Sequence, residues 1–152
     1  MADSVTDYMA LAFREAEAAG ARGEVPVGAV IVDSASGEVL AAAGNETEAR
    51  FDPTAHAEML VIRAAAAKVA APRLAGCDLY VTLEPCAMCA SAISLARLRR
   101  VIYGAYDPKG GGVDHGARVF SQPTCHHRPE VVGGVNASRA ETLLKDFFAA
   151  RR

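Results

Sequence analysis

The sequence predicts a single α/β domain in which helices cover both faces of a mixed β-sheet. Segments with helical and strand-like patterns alternate along the chain in the order α-β-β-α-β-α-β-(β)-α, which indicates this architecture. The length of 152 residues suits one domain with its own core. A composition of 51% apolar and 22% charged residues is that of an ordinary globular protein. No repeat or low-complexity linker divides the chain, so we expect one domain over residues 1–152.

The first half of the chain predicts a helix, a β-hairpin and a second helix. Gly20 can supply a left-handed stop for the first helix. The turn-forming residues 33–37 separate two strand-like runs and predict the hairpin. Thr54 is the predicted N-cap of the second helix. The predicted bounds are a helix from Thr6 to Ala19, strands from Val25 to Val32 and from Glu38 to Ala43, and a helix from about Ala55 to Ala70.

The second half predicts alternating strands and helices. Pro85 stands where a helix would begin, and residues 107–112 form a glycine-rich loop. Ser138 and Glu141 have the spacing of a capping box and predict the start of a final helix. The other predicted elements are strands from Asp78 to Leu83 and from Val101 to Ala105, a helix from Cys86 to Leu98, and a weaker strand from Glu130 to Val132.

Two short motifs predict a catalytic metal site. His56-Ala57-Glu58 precedes Pro85-Cys86-Ala87-Met88-Cys89 by about one helix–loop–strand crossover. One imidazole and two thiolates balance the charge of Zn²⁺ and leave its fourth coordination position open to water. Cys86 and Cys89 are spaced i, i+3, so both thiolates can reach one ion from one helix face. A helix N-terminus there also favours the thiolate form.

Glu58 is two residues from His56, where it can handle protons beside the metal without binding it. The combination H-x-E…P-C-x-x-C is the signature of zinc-dependent nucleobase deaminases. In that reaction the glutamate takes a proton from water and delivers protons to the ring nitrogen and the departing amine. Glu58 is therefore the predicted catalytic residue, with His56, Cys86 and Cys89 as the zinc ligands.

Other interpretations of the same residues remain open at this stage. A lone C-x-x-C is compatible with a redox dithiol or with half of a structural zinc site. Cys125, His126 or His127 could supply the fourth protein ligand that a structural site needs. A non-catalytic zinc-binding module that contacts RNA is a third interpretation, and it leaves Glu58 unexplained. Cys77 and Cys125 are otherwise expected as small buried hydrophobic residues.

Charge and hydropathy restrict the partners. A net charge of −2 argues against extensive non-specific phosphate binding, although local basic clusters occur around Arg99 and at the C-terminal Arg151-Arg152. From charge alone these clusters are solvated surface. No apolar run reaches the ~18–20 residues that span a bilayer, and the first residues lack the pattern of a secretory signal. We therefore expect a cytoplasmic protein with no membrane association.

Over nearly its whole length the chain resembles the bacterial tRNA adenosine deaminases. The stretches that carry the resemblance are Glu24–Val30, Asp52–Glu58, Leu79–Cys89, Tyr103–Lys109 and Phe147–Arg152. The resemblance implies a cytidine-deaminase-like three-layer α/β/α fold with a mixed five-stranded sheet. It also implies one Zn²⁺ per subunit, a homodimer, and conversion of the wobble adenosine of a tRNA anticodon stem-loop to inosine.

The resemblance further implies a set of substrate-binding residues. Asn45 matches a position that contacts the flipped base, and an amide suits a purine edge because it both donates and accepts. The predicted substrate-binding residues are Asn45, Ala57, Asp107, Lys109, His126, Arg128, Phe148 and Arg152. The chain reads His126-His127-Arg128 where many members have Asn-His-Arg, and its glycine run 110–112 continues to Gly116. The resemblance therefore does not specify the detailed RNA contacts of these two segments.

The motifs specify zinc-dependent deamination more strongly than they specify the substrate. A free nucleobase or nucleoside deaminase acting on guanine or cytosine would share the same zinc site. The C-terminal third, from Asp107 onward, discriminates, because a free-base enzyme needs a closing lid and an RNA enzyme needs an open rim with cations. Small residues along the helix after Cys86, such as Ala90 and Ser91, permit close approach of a second subunit.

Overall fold

A computed structural model describes residues 4–151. The helices are α1 Ser4–Ala21, α2 Ala57–Val69, α3 Ala87–Leu95 and α4 Ala137–Ala149, with a short 3₁₀ helix at Val119–Ser121, and the strands are β1 Gly28–Asp33, β2 Val39–Gly44, β3 Cys77–Leu83, β4 Arg100–Ala105 and β5 Glu130–Val132. The strand order is β2-β1-β3-β4-β5. The predicted mixed five-stranded α/β/α fold is confirmed.

The sheet pairing brings four strand ends to one edge. β1 runs antiparallel to both β2 and β3, whereas β3, β4 and β5 are parallel. Gly28 pairs with Gly44, and Leu83 pairs with Ala105. The start of β1 and the ends of β2, β3 and β4 therefore share one edge, and the loops that leave it are neighbours in space.

The helices bury the two faces of the sheet separately. On one face α1 and α4 pack against alternate strand residues such as Val30, Tyr80 and Ile102. On the other face α2 and α3 pack against residues such as Ile31 and Leu79. This alternation is the period of two expected for strands that are covered on both sides. No helix among the described residues has the length and hydropathy needed to cross a bilayer.

Two predicted ends near the first two helices are wrong. Gly20 lies inside α1, and the left-handed residue after that helix is Gly23, with φ of 89°. Thr54 does not cap α2, because its hydroxyl donates to Asp52 Oδ1 at 2.7 Å. The helix begins at Ala57 with His56 as its N-cap residue. Because its hydroxyl is bonded to the Asp52 carboxylate, Thr54 belongs to the turn before the helix.

The ends of the last two helices also differ from the prediction. Ser138 lies inside α4, whose N-cap residue is Asn136 in a left-handed conformation with φ of 56° and no side-chain cap, so the capping box with Glu141 is not formed. Helix α3 ends at Leu95 instead of Leu98, because Arg97 turns into the left-handed region. The bounds of β5 match the prediction.

Candidate active site

The three predicted metal ligands lie at the sheet edge where the strand ends meet. His56 is the N-cap residue of α2, and Cys86 is the N-cap residue of α3. Cys89 lies one turn into α3 and is fully buried. Both helices begin at this edge, so their N-termini converge on the same point.

The distances from the His56 nitrogen to both sulfur atoms are those of a tetrahedral zinc site, and all three donor atoms lie within 4.8 Å of one another. His56 Nδ1 lies 3.6 Å from Cys86 Sγ and 3.5 Å from Cys89 Sγ. Zinc binds sulfur at about 2.3 Å and imidazole nitrogen at about 2.0–2.1 Å, so tetrahedral geometry places these atoms about 3.5–3.6 Å apart. The donor set therefore fits zinc in chemistry and in geometry.

A fourth protein ligand does not join this group within residues 4–151. Cys125, a candidate for that role, contacts the Ser94 hydroxyl at 3.5 Å and the His127 carbonyl at 3.2 Å instead. The His127 ring is paired with the Leu98 carbonyl at 2.7 Å. Three protein ligands with an open fourth position are typical of a catalytic zinc site and not of a structural one.

Electrostatics at the two helix N-termini favour the anionic form of Cys86, whereas hydrogen bonding to Cys86 and burial raise the pKa of the Cys89 thiol. Hydrogen bonding from Cys89, with a further contribution from His56, lowers the pKa of the Cys86 thiol to about 4. Hydrogen bonding to Cys86 raises the pKa of His56. The N-terminal dipole of α3 acts in the same direction on the thiolate.

Glu58 lies in the first turn of α2, next to the metal ligands. Its side chain is buried and lines the cavity described below. Burial in this apolar setting raises the pKa of its carboxyl group to about 7. A carboxyl group whose pKa lies near neutrality can both accept and release a proton at physiological pH.

A cavity of about 370 Å³ opens onto His56, Glu58 and Cys86. This volume lies at the small end of the range for ligand pockets and suits a ligand the size of one nucleobase. Its other walls come from the segment before β1, the loop after β2, the end of β3 and the loop after β4. The residues that form them are Val25, Val27, Asn45, Thr47, Leu83, Glu84, Asp107 and Gly110.

Asn45 joins two parts of this site. Its Oδ1 accepts a hydrogen bond of 2.8 Å from the buried backbone N–H of Ala57, the first residue of α2. This contact assigns the side-chain carbonyl, so the amide NH₂ is the group that Asn45 can offer to a ligand. The structure thus places Asn45, Ala57 and Asp107, three of the predicted substrate-binding residues, at the cavity or directly behind it.

Other predicted substrate-binding residues lie outside the cavity lining. Lys109 is exposed, and Phe148 is 48% exposed with its ring edge-to-face against Phe147. His126 borders a separate cleft beside α3. Arg128 donates to the backbone carbonyls of Phe120 and Gln122, which gives its guanidinium group a role in holding that loop. Arg152 lies outside the described residues.

Sequence reasoning did not identify two buried glutamates that hold the cavity walls, Glu24 and Glu84, the second of which also lines the cavity. Glu24 accepts hydrogen bonds from the backbone of Glu48 and Ala49, in the loop after β2. Glu84 holds the loop after β4 in a similar way. Glu84 could have been recognised from the sequence, because it is a charged residue between Leu83 and Pro85 at an otherwise apolar strand end.

Comparison with known proteins places the chain in a family. Residues 3–105 match the cytidine and deoxycytidylate deaminase zinc-binding region, and the fold with its His–Cys–Cys site defines a zinc-dependent hydrolytic deaminase. The chain is 55% identical to the tRNA-specific adenosine deaminase of Agrobacterium fabrum over 97% of its own length and 95% of that protein. It is 44% identical to that of Aquifex aeolicus, covering 95% and 94% of the two chains. The chain belongs to the family of tRNA-specific adenosine deaminases.

Solved structures agree with this assignment. A structure from a study of A-to-I editing by tRNA:A34 deaminases superimposes with a TM-score of 0.89 at 56% identity, covering 91% of this chain and 99% of that one. The guanine deaminase of Nitrosomonas europaea has a TM-score of 0.80 at 23% identity, covering 93% and 83%. At that identity the second likeness shows the shared fold alone.

Proposed function

We propose that this protein converts the wobble adenosine of a tRNA anticodon to inosine by zinc-dependent hydrolytic deamination. The observation that carries the proposal is the donor triangle of His56, Cys86 and Cys89 next to buried Glu58, at the floor of a cavity sized for one flipped base. The family relationship with tRNA-specific adenosine deaminases supports adenosine in tRNA as the substrate.

The residues of the chain divide the chemistry between them. Zinc held by His56, Cys86 and Cys89 would activate water for attack on the carbon that bears the amine. Glu58 takes one proton of the attacking water at its carboxylate and delivers it to the ring nitrogen; it then carries the second proton of that water to the amine, which leaves as ammonia. The Asn45 amide, held by Ala57, donates to the base and limits its orientation. Buried Val27 and half-buried Val25 give the cavity an apolar wall for the base.

The remaining predicted contacts concern the anticodon loop outside the cavity. Lys109 and His126 are exposed and can approach phosphates or splayed bases. The half-exposed ring of Phe148 suits stacking on a loop base. Arg128 and Arg152 complete the predicted set. Base flipping brings only the target nucleotide into the cavity, so residues outside it can serve the flanking nucleotides.

We further propose a cytoplasmic homodimer with one zinc ion per subunit. Leu95 on α3 is 66% exposed and borders an apolar cleft with Ser91 and Val119. A second copy of the chain would cover this surface, and its cations would add to those around one anticodon loop. Analytical ultracentrifugation should then give a dimer at micromolar concentration, whereas a stable monomer would contradict the proposal.

The deciding experiment is ammonia release by the zinc-loaded protein. The substrates are an anticodon stem-loop with adenosine at the wobble position, the same stem-loop with guanosine there, free adenosine, free guanine and free cytosine. Glu58→Ala is the matched control, and it should retain zinc but lose turnover because only the proton-transfer group is removed.

Inosine formed only in the adenosine stem-loop is the expected result. Release from free guanine or cytosine with the RNA untouched would keep the zinc mechanism and refute tRNA as the substrate. Full activity in Glu58→Ala would refute the assigned mechanism. Zinc binding without turnover in the wild type would favour a non-catalytic RNA-binding module.

A further inference from the structure

The side chain of Glu84 is almost completely buried at the end of β3, two residues before Cys86. Its carboxylate meets five donors from a single loop. Oε1 accepts from Asp107 N at 2.9 Å and pairs with His115 Nδ1 at 2.8 Å, while Oε2 accepts from the backbone N–H groups of Val113, Asp114 and His115 at 3.2, 2.9 and 3.1 Å. These bonds offset the cost of burying the charge.

The same loop, residues 106–116, is shaped to close around this carboxylate. A Cβ atom on Gly111 would lie 2.5 Å from Glu84 Oε2, so a side chain at that position cannot fit. A Cβ atom on Gly112 would lie 2.5 Å from Ala87 N, and Gly112 N donates to the Pro85 carbonyl at 2.8 Å. The glycine run therefore lets the loop lie directly against Glu84 and the segment that carries Cys86.

This loop also forms a wall of the substrate cavity. Asp107 and Gly110 line the cavity, and the Asp107 carboxylate accepts a hydrogen bond of 2.9 Å from Gly110 N. Glu84 binds the loop at both ends of this wall, through Asp107 on one side and residues 113–115 on the other. Together with the backbone bond between Gly112 and Pro85, the Glu84 carboxylate thus fixes the position of the wall relative to the zinc ligands.

We propose that Glu84 is a positioning residue: its buried carboxylate holds the loop 106–116 as one wall of the cavity and thereby sets the affinity for the target nucleotide. It acts through Asp107 and Gly110 and does not touch the reacting atoms. The choice of this substrate rests on the proposed function. Glutamine has nearly the same shape but a single acceptor oxygen, so at least one of the buried loop N–H groups would lose its partner.

The test compares Glu84→Gln with the matched variant Asp78→Asn. Asp78 is also a buried carboxylate of β3, but it lies at the opposite end of the strand and binds Arg99 with bonds of 2.9 and 2.6 Å. We expect Glu84→Gln to raise KM for the adenosine stem-loop about tenfold, with kcat and zinc content within about threefold of wild type. Asp78→Asn should leave KM unchanged whatever stability it loses. Gly111→Ala should raise KM as Glu84→Gln does, although Glu84 is intact.

Amide hydrogen exchange gives a readout that needs no substrate. The amides of residues 107 and 113–115 should exchange at least about tenfold faster in Glu84→Gln than in wild type, while those of β1 and β3 stay protected. Unchanged exchange in the loop would overturn the proposal. Three kinetic outcomes would also overturn it. These are an unchanged KM in Glu84→Gln, an equal rise in KM in Asp78→Asn, and a Glu84→Gln variant that loses zinc and kcat while its KM stays the same.

These results stay separate from the fate of the proposed function. If wild type deaminates a free base and leaves the stem-loop untouched, tRNA fails as the substrate, and the KM comparison on that base still decides the role of Glu84. If no substrate is turned over, hydrogen exchange decides it.

Discussion

Replacing Asn45 tests how one side chain serves both the helix that carries the catalytic groups and the substrate. Its Oδ1 is the acceptor for the N–H of Ala57, a residue with no exposed surface, at a distance of 2.8 Å. Asn45→Ala removes the acceptor and leaves a buried donor without a partner. This costs about 1–3 kcal/mol of the free energy of unfolding. For a chain of this size each kcal/mol lowers Tm by about 2–4 °C.

Asn45→Asp separates the two roles. It keeps an oxygen acceptor for Ala57, and its charge lies at the N-terminal end of α2, where the helix dipole favours it. It removes the NH₂ group that we expect to face the base. Asn45→Asp should therefore retain more stability than Asn45→Ala, while both variants lose at least about tenfold in kcat/KM.

Urea denaturation and steady-state kinetics on the adenosine stem-loop measure the two effects. Equal stability of Asn45→Ala and wild type would refute the role assigned to the hydrogen bond with Ala57. Wild-type kcat/KM in Asn45→Asp would refute the proposed contact between the amide and the base.

Four further predictions concern the metal, the loops and the RNA surface. Cys89→Ala removes one of three donors, so zinc content measured by atomic absorption should fall well below that of wild type; equal zinc would contradict the ligand set. Burial raises the pKa of Glu24, but hydrogen bonds from Ala49, Glu48 and Thr47 outweigh it and the pKa lies below its ordinary value. Ionised Glu24 therefore stabilises the fold above its unfolded-state pKa of about 4.3. The free energy of unfolding of Glu24→Gln should lie below that of wild type by a constant amount above about pH 5, and this difference should vanish as the pH falls below the folded-state and unfolded-state pKa values. A stability difference that does not change down to pH 3 would refute this. Phe148→Ala should change the free energy of unfolding by less than about 1 kcal/mol, since the ring is 48% exposed, yet raise KM for the stem-loop but not for free adenosine; an unchanged KM would exclude stacking. Arg128→Ala breaks the bonds to Phe120 and Gln122 and should cost about 1 kcal/mol in urea denaturation, with no cost if the side chain serves RNA alone.

The failures of the sequence prediction have a common cause. Thr54 and Ser138 have the chemistry of helix caps, but Asp52 takes the Thr54 hydroxyl and α4 begins before Ser138. The local sequence identifies residues that are able to cap a helix. Which of them does so depends on neighbours that the folded chain supplies.

The chemistry of the site and the architecture that carries it could be predicted from the residue pattern. The donor types of His56, Cys86 and Cys89, the i, i+3 spacing of the thiols and the order of helices and strands are local properties, because each depends on a few consecutive residues. The period-two burial of the strands follows from the same local patterns.

The construction of the cavity around that chemistry depends on contacts between distant parts of the chain. Glu84 binds donors 23 to 31 residues away in the chain, and Asn45 caps a helix residue 12 positions later. No local pattern encodes such pairs, because a buried carboxylate or amide takes whichever donors the packed sheet edge brings within about 3 Å of it. The sequence therefore determined which groups react, and the long-range pairing of the strands decided which groups hold them in place.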